Sequence, residues 1–392
     1  MIPYHKALDL TLASVQAMPV ERLRIEAAAG RVLRQTIRAD RDIPPYDRVM
    51  MDGYAFRSAD LVQERRFSIT GSAPAGKAQA TLPEDAGSCL EIMTGAPLPI
   101  GADCIVPVER TVDSGEGGIT VSPDFEARAG VFIHRAGSDA KAEDVLLEPG
   151  ILLGSREIGV AASCGAALVE VSKLPCIAII PTGDELVAVD AMPEPHQIRQ
   201  SNGHAIRAAL ERCGYPSMLI DPLGDDARAN DLREHLENND WLIFTGAISR
   251  GARDFLPRLL GGLGCTCVFH GVAQRPGKPA GFWLGPQGQA IMALPGNPVS
   301  ALTGLHAFVM TALAVASGLP LPVPRLVVPA APFNTLPDIT LHLPVSLDVA
   351  GRAHTAPTGN SGDFIGLLKS DGFVTVPPRG AIQAAYPFTP WR

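Results

Sequence analysis

Five short turns in the second half of the sequence carry residues whose types and spacing suit phosphate and oxyanion chemistry. Thr182-Gly183-Asp184-Glu185 follows the apolar run CIAII. Its glycine permits a tight bend, and its two carboxylates suit a hard cation shielding phosphate oxygens, or else a self-capped turn. Gly224-Asp225-Asp226, after MLID, sets two acids side by side, to be neutralised by a cation or to complement the dipole of a following helix. Thr245-Gly246-Ala247-Ile248-Ser249-Arg250-Gly251 reads as a cradle of backbone N–H groups for a phosphate, and Asp254 beyond it as a helix cap or a metal ligand. Arg275-Pro276-Gly277-Lys278-Pro279 places two cationic side chains around a rigid turn, which matches a phosphate or other oxyanion. Leu294-Pro295-Gly296-Asn297-Pro298-Val299-Ser300 ends an apolar strand; the proline after Asn297 keeps that residue out of helix, offering its amide to a ligand or to its own loop. Singly these are ordinary turns. Together they point to a phosphorylated ligand with a divalent ion.

The elements that must position them alternate. From Leu174 onward, apolar β-branched runs (CIAII, MLI, WLIFT, CVFHGVA) alternate with helical segments (SNGHAIRAALERCGY, ARANDLREHLENND, DFLPRLLGGLG), and Ser201 or Asn202 is a plausible cap. That pattern predicts a mostly parallel, doubly wound α/β sheet, in which ligands sit beyond the carboxyl ends of the strands. Residues 4–38 and 140–172 have helix-like texture, whereas 44–139 is a succession of short β-like runs between Gly, Pro, Asp and Ser. The predicted organisation is a discontinuous, mostly helical domain (1–38 and 140–172), an inserted β-rich module (39–139), the α/β domain (173–319) and a small C-terminal β barrel (320–392). Within the module, Asp52, Thr94 and Asp139 either hold their own turns or form a second polar wall for the ligand.

Composition narrows the function. With 41 acidic against 33 basic side chains the net charge is −8, so no global positive field favours nucleic acid. The seven cysteines form no CxxC pair and read as inert buried thiols of a reducing compartment. The amino terminus lacks the pattern of a secretory signal. Ala301 to Leu319 is apolar but contains His306 and Thr311 and ends at Gly318-Leu319-Pro320, which predicts a buried helix rather than a membrane span. The expectation is a cytoplasmic protein with neither nucleic-acid nor membrane partners.

In order along the chain, Asp52-Gly53-Tyr54-Ala55 after Pro45-Tyr46-Asp47, Met93-Thr94-Gly95-Ala96-Pro97, Pro181-Thr182-Gly183-Asp184-Glu185-Leu186, Arg275-Pro276-Gly277-Lys278-Pro279 and Leu294-Pro295-Gly296-Asn297-Pro298-Val299-Ser300 resemble the MoeA family, the molybdopterin molybdenumtransferases, to which gephyrin's carboxy-terminal domain is related. The resemblance spans essentially the whole chain and implies a MogA-like α/β domain. It also implies insertion of molybdate into adenylylated molybdopterin with release of AMP, Mg²⁺ or another divalent cation, and a homodimer whose cleft is shared between protomers. The molybdopterin adenylyltransferase and molybdoenzyme maturation factors are further expected partners. Carried over by position, Glu185, Asp226 and Asp254 go with the cation, and Asp52 and Asp139 join them as catalytic acids. Thr94, Thr182, Gly183, Asp184, Gly246, Ser249, Gly251, Arg275, Gly277, Lys278, Pro295, Gly296, Asn297 and Ser361 go with substrate.

The chain departs from the family pattern at four places. Gly246-Ala247 replaces Gly-Gly, Gly271 stands where a lysine is frequent with His270 beside it, a basic run is reduced to His134-Arg135-Ala136, and Arg48-Val49 replaces Asn-Ser. Two other readings are an adenylyltransferase acting on molybdopterin and a non-catalytic, gephyrin-like scaffold; the complete β module and the acidic and basic turns argue for the transferase.

Overall fold

The computed structural model describes every residue except 64, 225–226, 249–254, 334, 380–383 and 392. It divides into two compact units, one formed by 1–35, 149–154 and 168–392, the other by 36–148 and 155–167. The finer four-part division drawn from sequence texture is a proposal.

In the first unit a six-stranded sheet has the order Met218–Leu219, Ile177–Pro181, Trp241–Thr245, Ala290–Leu294, Gly281–Leu284, Thr266–His270. The first four strands are parallel, Gly281–Leu284 runs against them, and Thr266–His270, antiparallel to Gly281–Leu284, runs in the direction of the first four. The central strands are buried on both faces, which is why they read as continuous apolar runs. Alternate side chains serve different cores. Ile177, Ile179, Trp241, Ile243 and Met292 pack with Ile206 and Leu210 of helix Asn202–Arg212 and with Leu305 and Phe308. Ala178, Ile180, Leu242, Phe244 and Ile291 pack with Leu232 and Leu236 of helix Ala229–Asn238 and Leu256 and Leu260 of helix Leu256–Gly262. The doubly wound α/β domain is therefore present. The apolar run predicted as a buried helix is helical over Pro298–Ala316, with a π turn at Leu305–Val309. It is long and apolar enough to cross a membrane, but 78% of it is buried inside the protein, as a core helix would be.

The C-terminal strands join a seven-stranded mixed sheet that recruits two strands from elsewhere, Ile2–Pro3 and Val272–Arg275. Ile2–Pro3 runs parallel to Val272–Arg275, which runs parallel to Thr340–Leu347. The turn Arg275-Pro276-Gly277-Lys278 thus leaves a strand that belongs to this second sheet.

Three expectations are corrected. The segments 4–38 and 140–172 contain helices only at Tyr4–Ser14 and Ser155–Ser163, with a single short 3₁₀ turn at Ile25–Ala27. Val20–Arg24 and Leu168–Ser172 are instead an antiparallel pair. Val169 and Val171 are buried with period two, and Arg22 bonds Glu170 across the ladder at 2.7 Å. The cysteines are free but not uniformly buried, since Cys176 and Cys267 are exposed.

In the second unit another six-stranded sheet runs Cys104–Pro107, Gly53–Phe56, Ser88–Ile92, Arg66–Ala73, Gly118–Val121, Thr111–Gly115. Gly53 is hydrogen-bonded between two neighbours, opposite Ile92 and Pro107. A Cβ there would lie 2.0 Å from the Val106 carbonyl oxygen and 2.9 Å from the Pro107 Cα, both backbone atoms. The glycine of the Asp52-Gly53 motif is thus fixed by packing. Gly53→Ala is expected to destabilise this unit by about 3 kcal/mol, because the obstructing backbone cannot rotate aside. Urea denaturation followed by hydrogen exchange of residues 53–56 and 104–107 checks it, with the first unit's exchange unchanged.

Candidate functional site

The carboxyl ends of the parallel strands open on a cavity of about 670 Å³. Its walls are the turns after Ile177–Pro181, Trp241–Thr245 and Ala290–Leu294, together with 198–202. Backbone bonds knit the turns together. Thr182, 4% exposed, donates its N–H (2.9 Å) and Oγ1–H (3.1 Å) to the Thr245 carbonyl, and the Gly246 N–H donates to the Leu294 carbonyl at 3.0 Å. Gly246 has φ +101°, and a Cβ on it would stand 2.6 Å from the Thr182 carbonyl oxygen, so only glycine fits. Ala247 follows at φ +47°, a left-handed conformation that disfavours any L side chain. Among the described residues, the Ala247 and Ile248 N–H groups have no acceptor, so the turn offers adjacent donors to an anion.

Of the expected residues, Thr182, Gly183, Glu185, Gly246, Pro295, Gly296 and Asn297 line this cavity together. Glu185 is the one carboxylate among the described lining residues, and its carboxylate folds back over Gly183, whose φ is +135°. Asp184 is exposed and does not line it. Asp226, Ser249, Gly251 and Asp254 lie outside the described residues.

A second cavity of about 740 Å³ adjoins the first and shares Pro279, Pro295 and Asn297 with it. Arg275, Gly277, Lys278 and Ser361 line it. The Asn297 Nδ2 donates to Ser361 Oγ at 2.8 Å, and the Val299 N–H to the Ser361 carbonyl at 3.1 Å, so the Asn297 turn and the Ser361 loop are one wall.

Asp52, Thr94 and Asp139 belong to the second unit. Asp52 Oδ1 accepts both the N–H (2.6 Å) and the Oγ1–H (2.7 Å) of Thr94. These two bonds, the backbone one foremost, hold the Asp52 carboxyl below the usual aspartate range. Arg48 donates to His134 Nδ1 at 3.0 Å, which leaves the ring proton on Nε2 to bond Asp139 Oδ1 at 2.7 Å. His134 thereby lowers the Asp139 pKa as well. The arginine that replaces a neutral residue of the family pattern acts on Asp139 through this imidazole.

Several lining residues escaped sequence reasoning. Arg199 brings a cation to the first cavity. Gln200, 6% exposed, lines it with an Oε1 that has no hydrogen-bond partner among the described residues. Asn202 does not cap its helix; its Nδ2 instead donates to the Gly296 carbonyl at 2.7 Å, and Ser201 at the N-cap makes no side-chain cap bond. No local signal marks these roles, because the partners lie across the sheet.

Comparison with known proteins places the whole chain. Residues 2–165 match the family model of the MoeA N-terminal region (domain I and II), and 178–315 that of a probable molybdopterin binding domain. A molybdopterin molybdenumtransferase of Synechocystis sp. is 36% identical over 402 aligned residues, covering 100% of both chains. One of Staphylococcus aureus is 32% identical over 319 residues, 80% of this chain and 75% of that one. The crystal structure of the molybdopterin biosynthesis MoeA protein of Pyrococcus horikoshii superposes with a TM-score of 0.81 at 26% identity, covering 100% of this chain and 99% of that one.

The Asp52–Thr94 pair yields a prediction with a sign. A depressed folded-state pKa means that the pair's contribution is present above the ordinary aspartate value and is lost as pH falls through the folded value. In Thr94→Val the hydroxyl bond goes and the backbone bond stays, so the Asp52 carboxyl should titrate between its native and its ordinary value. Carboxyl ¹³C NMR titration reads this directly, and an unchanged midpoint would show that the hydroxyl contributes nothing.

Proposed function

We propose how this chain works from one premise: it belongs to the MoeA family, the molybdopterin molybdenumtransferases. It is a transferase of molybdenum cofactor biosynthesis that acts on molybdopterin-derived small molecules. The finer reading concerns which part of the reaction each cavity serves. The first cavity takes the nucleotide end of adenylylated molybdopterin, its phosphates on the Gly246–Ile248 turn and near Arg199. The second takes molybdate, a compact dianion, against Arg275 and Lys278 and the Ser361 loop. The shared wall carries this assignment: Pro279, Pro295 and Asn297 line both compartments, so two ligands can be held side by side across it. In this reading water cleaves the anhydride to give AMP and the molybdopterin phosphate, and the two dithiolene sulfurs bind molybdenum as one molybdate oxygen leaves as water with the two thiol protons. The protein's part is to align the two anions and disperse their charge.

Among the described residues no group of three His, Cys, Asp or Glu side chains is placed to hold a metal, so Glu185 alone does not make a cation site. A divalent cation, once bound, would offset phosphate charge. Glu185 with Asp226 and Asp254 is the set proposed to hold it.

Glu185→Ala is expected to reduce molybdate-dependent AMP release at least about a hundredfold with the fold intact by circular dichroism. Turnover at the wild-type rate would remove the assignment. The chain is further proposed to act as a homodimer in which Asp52 of one protomer serves substrate bound by Glu185 of the other. Asp52→Ala and Glu185→Ala, each inactive, should then recover about a quarter of wild-type activity on mixing, since half the dimers are mixed and each keeps one intact site. No recovery despite subunit exchange, followed by mass spectrometry, would rule the shared site out.

A further inference from the structure

The turn that lines the first cavity is held at its two ends by different means. At Gly246 the backbone N–H bonds the neighbouring strand end, as described above. At Ile248 the carbonyl is bonded by a side chain, His270, whose Nε2 lies 3.1 Å from it. A carbonyl can only accept, so Nε2 carries the proton and donates. His270 ends strand Thr266–His270, at the far edge of the sheet from Ile177–Pro181, and its ring lies against Trp283 with centroids 5.6 Å apart. Trp283 is 2% exposed and packs in the core beneath the turn, so the imidazole is braced before it reaches Ile248.

The residue after it explains why His270 stands there. Gly271 has φ +88°, donates its N–H to the Ala280 carbonyl at 2.9 Å and accepts the Ile2 N–H at 3.2 Å. A residue with a side chain is disfavoured at that φ, so the position where the family pattern frequently has lysine is committed here to a bend. The cationic side chain expected at that place is absent, and the neighbouring imidazole is spent on the turn.

We infer that His270 is a positioning residue for the anion-binding turn: by fixing the Ile248 carbonyl, on the peptide group just after the Ala247 and Ile248 N–H donors, it restrains the exit of the turn that lines the cavity where the nucleotide phosphate binds. Nothing else among the described residues bonds that carbonyl. The Ile248 side chain, 2% exposed, packs in the same core as Trp283, and the His270 bond adds a polar anchor on the peptide group that follows it. The inference rests on the reading that this cavity takes the nucleotide end of the substrate.

The test uses the full-length protein and AMP as the probe. Wild type, His270→Ala and His270→Gln are titrated with AMP by calorimetry, and the KM for adenylylated molybdopterin and kcat are measured for each. Loss of one bond that orders the donors should raise the AMP Kd and the KM about fivefold in His270→Ala with kcat within about twofold. His270→Gln, whose amide also donates, should recover most of the affinity. If wild type binds AMP and His270→Ala binds it equally well, the inference fails while the site reading stands. A fall in kcat with unchanged KM, or a Gln variant no better than Ala, also overturns it. Failure of the wild type to bind AMP removes the site reading and the inference together.

Discussion

The arrangement depends on how the ends of three parallel strands are fastened. Thr182 gives two hydrogen bonds to the Thr245 carbonyl, Gly246 gives one to Leu294, and Gly296 comes near enough that a Cβ on it would touch the Gly246 Cα at 3.7 Å. Backbone groups at strand ends would otherwise be left to solvent. Spending some on one another fixes the turns, and leaving others open makes them donors. The tolerance is small, because a side chain at 246 would push Thr182 away and carry Gly183 and the Glu185 carboxylate with it.

Charge is organised at the same scale. The chain as a whole is acidic, so no long-range field draws anions in. Arg199 stands at the first cavity and Arg275 and Lys278 at the second, which concentrates positive charge where oxyanions would sit. The acids Asp52 and Asp139 are kept ionised by hydrogen bonds from Thr94 and His134. Those bonds keep both carboxylates in the ionised form over a wider pH range.

The strand-helix alternation from residue 174 was legible because strands buried on both faces are unbroken apolar runs, and the turns after them had to lie at one edge. That logic picked out Thr182, Gly246 and Asn297 correctly as neighbours. It failed where chemistry is identical and only direction differs. Asp184 and Glu185 are adjacent carboxylates, yet only Glu185 lines the cavity. It failed at Leu168–Ser172, read as helix-like, because the partner strand Val20–Arg24 lies 148 residues away at Arg22 and Glu170. Gln200, Asn202 and His270 were illegible for a related reason: each acts through a partner that only the sheet topology brings near. Asp226 and Asp254, two of the three carboxylates expected at the cation, lie outside the described residues.

Two departures from the family pattern, at 247 and 271, become intelligible as one. A methyl group at 247 does not close the cradle, since Ala247 lines the cavity and its N–H stays open; its cost is conformational, about 1–2 kcal/mol for a non-glycine residue in the left-handed region. One intramolecular hydrogen bond contributes about 1 kcal/mol, the same order. A Gly-Gly turn adopts positive φ at both positions without strain but also samples other conformations, whereas alanine does so only if something holds the turn. His270 bonding Ile248 supplies that hold, and Gly271 provides the bend beside it. The exchange trades an intrinsically permissive turn and a nearby lysine for a restrained turn with fewer charges; in the proposed reading, ordered backbone donors then carry more of the anion's charge than a lysine there would leave to them.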